Sequence, residues 1–276
     1  MSYAAILVHV EADPVAKRRL ELAADLANQF EAALIGISAE LFEPPSAAAA
    51  MGYVDGETLV SQAQLVHDDL KRAETLFREV ARTVKRNSEW RSAVDLPCNI
   101  VSQQACLADL IVAGPRRAQP YGFHTHADPA DLLMQSGRPV LMTPAELEVL
   151  DASSIVVAWK DTRESRRALS DALPFLKRAK QVLVASICEH RDESEAESNL
   201  QDVGDFLRRH GIKASTTVRA LGGETVASAL LKIAEMQDAG LVVAGGYGHS
   251  RFREWVLGGV TQKLLCDAPR AVLLSH

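Results

Sequence analysis

The sequence predicts an α/β fold built as two tandem five-stranded parallel-sheet domains. Three observations predict it. The first is an internal repeat: Ala108-Asp-Leu-Ile-Val-Ala-Gly-Pro115 returns as Ala239-Gly-Leu-Val-Val-Ala-Gly-Gly246. Ile6–Val10 returns as Ile155–Trp159, and Leu132-Leu133 with Gly137–Met142 returns as Leu264-Leu265 with Ala268–Leu274. A period this long means a duplicated domain, not a solenoid. The second is the alternation of continuous apolar, β-branched runs with amphipathic stretches, the pattern of a parallel sheet covered on both faces. The third is length: 276 residues fit two domains at roughly 150 residues each. The copies span 1–147 and 150–276, joined near Glu146–Ser153.

The elements read clearly in the second copy. Ser154–Trp159 is a β-branched run suited to a strand buried on both faces. Thr162–Lys177 has helical spacing at Ala168, Leu169, Ala172, Leu173 and Leu176, with Thr162 as its cap. Gln181–Cys188 is the second strand, and Glu193–Gly211 a polar amphipathic helix closed by a glycine. Ile212–Ala220 is the third strand, ended by Gly222-Gly223. Glu224–Gln237 turns Val226, Ala229, Leu230, Ile233 and Ala234 inward. Leu241–Ala244, Gly258–Cys266 and Arg270–Leu274 complete the unit as strand, short helix and strand. The first copy repeats this order. It departs at Leu41–Gly56, a Pro- and Ala-rich excursion read as a surface loop, before a long helix Glu57–Lys85.

Composition narrows the class. The chain is 47% hydrophobic and 24% charged, ordinary for a globular protein. The net charge of -6 disfavours nucleic acid or an anionic membrane as partner. No apolar run approaches the roughly 20 residues that span a bilayer. The start, Met1-Ser-Tyr-Ala-Ala-Ile-Leu-Val-His-Val10, reads as a strand and not a signal peptide, so a cytoplasmic location is expected. Cys98, Cys106, Cys188 and Cys266 are scattered, form no zinc spacing, and read as small core hydrophobes. No metal site is expected. His124-x-His126 with Asp128 is too few donors on one loop and reads as polar surface. His9 reads as a core or strand-end histidine, and Arg18-Arg19 as a solvated helix face.

Gly245–Thr261, after the fourth strand of the second copy, is the segment that carries chemistry. It holds five glycines and two arginines and opens a helix. Glycines let backbone N–H groups approach an anion, and a helix start adds unpaired N–H groups and a positive dipole end. This describes a phosphate cradle, with Arg251 placed to pair with phosphate. It is neither a Walker loop nor a Gly-x-Gly-x-x-Gly turn. The spacing Gly245-x2-Gly248-x9-Gly258 resembles the nucleotide loop of the universal stress protein family, Gly-x2-Gly-x9-Gly-[Ser/Thr]. Val260–Leu265 and Ala268–Leu273 resemble that family's last helix and strand.

The resemblance covers nearly the whole chain, strongly in the second copy and diffusely in the first. It implies a tandem universal stress protein with an adenine-nucleotide-binding, Rossmann-like fold, its two domains forming an internal pseudo-dimer. The final strands, Val140–Met142 and Val272–Leu274, would pair at their edges. The ligand implied is ATP, carried with Mg. Gly245, Gly248 and Gly258 would lie along the phosphates, followed by Gly259, Val260 and Thr261. Two positions depart from the family. Gly259 replaces a Ser or Thr, with Thr261 as the substitute hydroxyl. Lys160 replaces the Asp after the first strand and Asp161 replaces the next Gly; a lysine accepts no hydrogen bond from ribose but attracts phosphate. The first copy departs further: Arg117 stands for the second glycine, Pro115 and Pro129 remove donors, and Glu11 keeps a carboxylate at the Asp position. It reads as a degenerate partner, with Pro129 starting a helix behind an Asp128 cap.

No catalytic residues emerge. Ser250 beside His249 lacks a third group, and Asp161 is the single acid expected near the pocket. The expected function is a stress-response nucleotide-binding module that signals without significant turnover. The alternatives are an interaction scaffold of the same fold without nucleotide, and a slow ATP hydrolase. Expected partners are adenine nucleotide, the second domain through the final strands, and a second copy in a homodimer.

Overall fold

The computed structural model describes residues 2–11, 15–42, 56–115, 126–188, 192–247 and 259–276. Its centre is one ten-stranded sheet of order β3-β2-β1-β4-β5-β10-β9-β6-β7-β8. The first half supplies β1 (Ala5–His9), α1 (Ala16–Phe30), β2 (Ala33–Glu40), α2 (Gly56–Ala81), β3 (Ser88–Val94), α3 (Pro97–Gln104), β4 (Leu110–Ala113), α4 (Pro129–Gln135) and β5 (Val140–Met142). The second half supplies β6 (Ser154–Ala158), α5 (Arg163–Asp171), α6 (Leu173–Leu176), β7 (Gln181–Cys188), α7 (Glu193–Arg209), β8 (Ser215–Ala220), α8 (Val226–Met236), β9 (Leu241–Gly245), α9 (Val260–Asp267) and β10 (Ala271–Ser275).

Strand alternation divides the core. Ile6, Val8, Ile155, Val157, Val243 and Leu273 pack on one face; Leu7, Val156, Val242, Val272 and Leu274 pack on the other. Each cluster draws residues from both halves, so apolar burial is continuous across the middle of the sheet. At that middle, the expected pairing of Val140–Met142 with Val272–Leu274 is present. The strands run antiparallel, with Leu273 opposite Leu141, Val272 opposite Met142 and Leu274 opposite Val140. All other neighbouring strands run parallel. Joining β5 to β10 covers one edge of each half and leaves β3 and β8 at the rims of the sheet.

Side chains reinforce the junction. Tyr3, Phe30 and Phe175 meet edge to face, with centroids 4.9–5.7 Å apart. The Tyr3 hydroxyl donates to the Asp171 carbonyl at 2.6 Å. Burial first, then the carboxylates of Asp171 and Asp109, push the Tyr3 phenol well above its ordinary value, so it stays a donor at neutral pH.

Several boundaries differ from expectation. The helix expected over 162–177 is two pieces, because Pro174 offers no N–H to continue the ladder. The third strand begins at Ser215 and not Ile212. Gly211 takes φ +77, and the Ile212 N–H closes the end of α7 on the Leu207 carbonyl. The long helix ends at Ala81, where Thr83 and Val84 turn back onto Val80 and Ala81. The caps expected at Thr162 and Asp128 are present, accepting from Ser165 and Ala130. The cysteines are not fully buried: Cys98 and Cys188 are half-buried, Cys98 packing against the core, Cys106 and Cys266 are exposed, and none of the four forms a disulfide. Arg19 is not a solvated face but is 95% buried, donating to the His9 carbonyl and to Glu11. Most of the 41–56 excursion lies outside the described residues. No helix among the described residues is long and apolar enough to cross a membrane.

Candidate functional site

The strand order reverses direction between β9 and β6. The chain leaves β6 toward β7 on one side and returns through β9 on the other. Such a switch point leaves a crevice at the carboxyl ends of the strands. Here it holds a cavity of about 540 Å3. Its floor is Ala158–Lys160 at the end of β6 and Ala244-Gly245 at the end of β9. Its walls are the first turns of α5, α7, α8 and α9, represented by Thr162 and Ser165, Asp192 and Glu195, Val226, and Val260 and Thr261. Four helix N-termini therefore face one space, each with N–H groups that lack helical partners and a positive dipole end.

The cavity brings together five of the sequence-predicted residues: Lys160, Asp161, Gly245, Val260 and Thr261. Gly259 precedes the last two as the cap of α9, with no side chain capping that helix. Gly248, Arg251 and Gly258 lie outside the described residues. Gly245 is demanded by packing. A Cβ there would stand 2.6 Å from the Ser165 nitrogen and 2.7 Å from the Glu164 carbonyl carbon. The strand end thus lies directly against the first turn of α5.

Thr261 also makes a contact within the protein. Its hydroxyl accepts from the backbone N–H of Tyr247 at 3.2 Å, in a buried position. This bond ties the entrance of the glycine segment to the first turn of α9. Tyr247 holds φ +56, an unfavourable conformation for a side chain of that size, and packs into the core. Replacing Thr261 by Val is expected to cost about 1–3 kcal/mol by orphaning a buried donor, while Thr261→Ser keeps the acceptor. Urea unfolding of the two variants checks this. His276 adds a second tie: Nδ1 lies 3.1 Å from the Gly246 carbonyl and Nε2 3.3 Å from Arg163 Nη2.

Asp161 is not the single acid at the pocket. Glu164, Asp192 and Glu195 line it too. Glu164 is 97% buried and accepts a hydrogen bond from Arg163 Nε. Burial raises its pKa, but hydrogen bonds from Arg163, its own backbone N–H and Thr162 outweigh that and hold the carboxyl below its ordinary value. Asp161 is paired with Arg166 at 2.6 Å. The end of β9 at Gly245 lies against the backbone and Cβ of Glu164. Cys188 also lines the cavity, its thiol pushed up by burial and by Glu193 and Asp192.

The first half is built differently at the matching place. Glu11 receives a hydrogen bond from Arg19 Nη2 at 3.0 Å and lies 2.9 Å from His126 Nδ1. The Arg19 guanidinium occupies the space beside Gly114, where the second half has helix backbone beside Gly245. The carboxylate that the resemblance implies for a ligand is thus held within the protein by Arg19 and His126. His126 is part of this contact and not a bare polar loop residue, and His124 lies outside the described residues. Among the described residues no group of three His, Cys, Asp or Glu side chains could hold a metal ion.

The fold and the crevice define the class: a doubly wound α/β protein of the nucleotide-binding architecture, present twice and joined through its last strands. Residues 151–276 match the model of the universal stress protein family. β1–β5 repeat the strand order of this matched half. No curated protein matches the chain. Among solved structures, a universal stress protein from Archaeoglobus fulgidus DSM 4304 is similar in fold, with TM-score 0.72 at 15% identity over 98% of this chain and 95% of that one. A putative universal stress protein from Pseudomonas aeruginosa UCBPP-PA14 reaches 0.55 at 18% identity, over 98% and 92%. A functionally unknown protein from Pseudomonas aeruginosa PAO1 reaches 0.54 at 19%, over the same shares.

Proposed function

We propose that the second half binds an adenine nucleotide, ATP with Mg2+, and that the protein acts as a stress-response regulatory module without significant turnover. The observation that carries this reading is the crevice at the β6–β9 switch point, where four helix N-termini meet the start of the glycine segment. That geometry favours an anion placed at the end of a sheet. In this reading Gly245, Gly248, Gly258 and Gly259, with the N–H groups of Val260 and Thr261, cradle the phosphates. Lys160 and Arg251 supply countercharge. The acids Asp192 and Glu195 at the mouth suit a nucleotide that arrives with its divalent cation. Asp161, already paired with Arg166, faces the ribose side. The domains are proposed as 1–147 and 150–276, in a cytoplasmic protein that can pair again as a homodimer.

The test is the thermal midpoint with and without ATP and Mg2+, in wild type and in Gly248→Val. A ligand at about 100 times its Kd stabilises the native state by about 2.7 kcal/mol. The expected result is a clear rise in wild type that the variant loses, with no phosphate released above the variant's background. A folded wild type with no shift at millimolar ATP overturns the reading and favours a scaffold that has lost its ligand. The specific observation behind that second reading is Lys160 standing in the crevice where the family has a carboxylate. Phosphate release well above background favours the slow hydrolase.

A further inference from the structure

The rim of the first half carries a surface that the nucleotide reading does not use. β3 is the last strand on that side, and among the described residues no strand pairs with its outer edge. Its inner edge is bonded to β2, and one bond fixes the phase: the Leu34 N–H donates to the Asn87 carbonyl at 3.0 Å. Main-chain groups of successive residues point to opposite sides of a strand. Glu89, Arg91 and Ala93 therefore bond inward to β2 with Asn87. Ser88, Trp90 and Ser92 turn their N–H and C=O groups outward. Such a row of donors and acceptors is a template for another strand.

Side chains alternate between the two faces of the sheet. Trp90 lies on the α2 face, against Phe77 with ring centroids 5.2 Å apart. Glu89 and Arg91 lie on the α3 face, where Arg91 Nη1 donates to Gln104 Oε1 at 2.6 Å and Nη2 lies 3.5 Å from Glu89 Oε2. Both side chains are open to solvent, at 57% and 42%. These opposite charges flank Trp90 symmetrically. A two-fold axis through Trp90 exchanges positions 89 and 91, so a second copy of β3 brings Arg91 opposite Glu89 and Glu89 opposite Arg91. The other rim offers no such match. β8 carries one charge, Arg219, which is paired with Glu224 at 2.5 Å.

We propose that two copies of the protein associate through β3, antiparallel, with the two-fold axis at Trp90. In this register Trp90 faces Trp90 and Ser88 faces Ser92. Each pair exchanges the outward N–H···O bonds that the phase supplies. On the α3 face the two Glu89–Arg91 pairs form a ladder of alternating charge. The sheet of one copy continues into the next. The contact is narrow, one strand from each copy, which places it among weak, concentration-dependent associations. It rests on the homodimer proposed above, to which it gives an interface, and not on nucleotide binding.

The test is sedimentation velocity of the full chain, without nucleotide, at increasing concentration. Wild type is expected to pass from monomer to dimer. Glu89→Arg and Arg91→Glu each set like charges opposite one another twice, and each should weaken association about tenfold or more. The two changes in one chain should restore it. So should an equimolar mixture of the two single variants, since each then meets its opposite. Ser92→Pro removes an outward N–H and leaves the ladder to β2 intact, so it should fold by circular dichroism and remain monomeric. If it does not fold, the charge series alone decides. A wild type still monomeric at about 1 mM overturns the homodimer and this interface together. A dimer unmoved by the single reversals, or not restored by the double one, overturns the interface and leaves the homodimer standing.

Discussion

Placing Asp at position 273 is expected to remove about 4–5 kcal/mol of stability, close to the whole margin of many domains. Leu273 has no exposed surface and sits in the middle of the sheet, with Leu141 opposite on β5 and Val243 beside it on β9. It belongs to the apolar cluster that both halves share. A carboxylate there would have neither water nor a cation. Leu273→Ala separates the two components of the effect: lost burial and a cavity alone cost about 3 kcal/mol. Leu107→Asp is the control, since Leu107 is exposed on the 3-10 turn that follows α3. Guanidinium unfolding followed by fluorescence gives the three values. If Leu273→Asp lost less than about 1 kcal/mol with an unchanged m value, the central antiparallel pair would not be what holds the halves together.

Gly245→Val is the second large effect. The added carbons meet backbone of α5, at 2.6 and 2.7 Å from the nearest atoms, and not the far end of a flexible side chain. Either the strand end or the first turn of α5 must move. Overpacking of this kind costs about 1–3 kcal/mol, and the shift would open the floor of the crevice. Gly245→Val should therefore lose both stability and the rise in midpoint with ATP and Mg2+. Gly204→Ala is the matching control. Gly204 lies inside α7 with nothing within 4 Å of a new Cβ, so that change should stabilise by about 0.4–1 kcal/mol. The same kind of substitution is thus expected to act with opposite sign at two glycines. If Gly245→Val were as stable as wild type, the close approach of β9 to α5 would be wrong.

Much of the architecture was legible because it rests on patterns that survive without neighbours. The β-branched run at 154–158 needs only its own side chains to specify a strand buried on both faces. The duplicated order of strands and helices located the last strand of each half, the resemblance implied that Val140–Met142 and Val272–Leu274 pair, and the two strands do pair. Boundaries were less legible where backbone bonds compete. Ile212 has the composition of a strand residue, but its N–H is committed to closing α7. Pro174 interrupts a helical stripe that apolar spacing alone carries straight through.

The site was legible as a set of residues and not as a set of roles. The resemblance named Lys160, Asp161, Gly245, Val260 and Thr261, and the fold brings all five to one crevice. Spacing could not assign the Thr261 hydroxyl to the Tyr247 N–H, since fourteen residues separate the two. Nor could it bury Glu164, or turn Arg19 away from water onto Glu11, because both depend on a strand end from elsewhere in the chain. By itself the sequence determined the α/β class, the duplication and the glycine segment that marks one copy. These are local periodicities and repeats, encoded residue by residue. The tertiary structure alone decided which polar groups are spent inside the protein and which face the crevice. Burial and hydrogen-bond partners are properties of neighbours in space, and the chain order does not contain them.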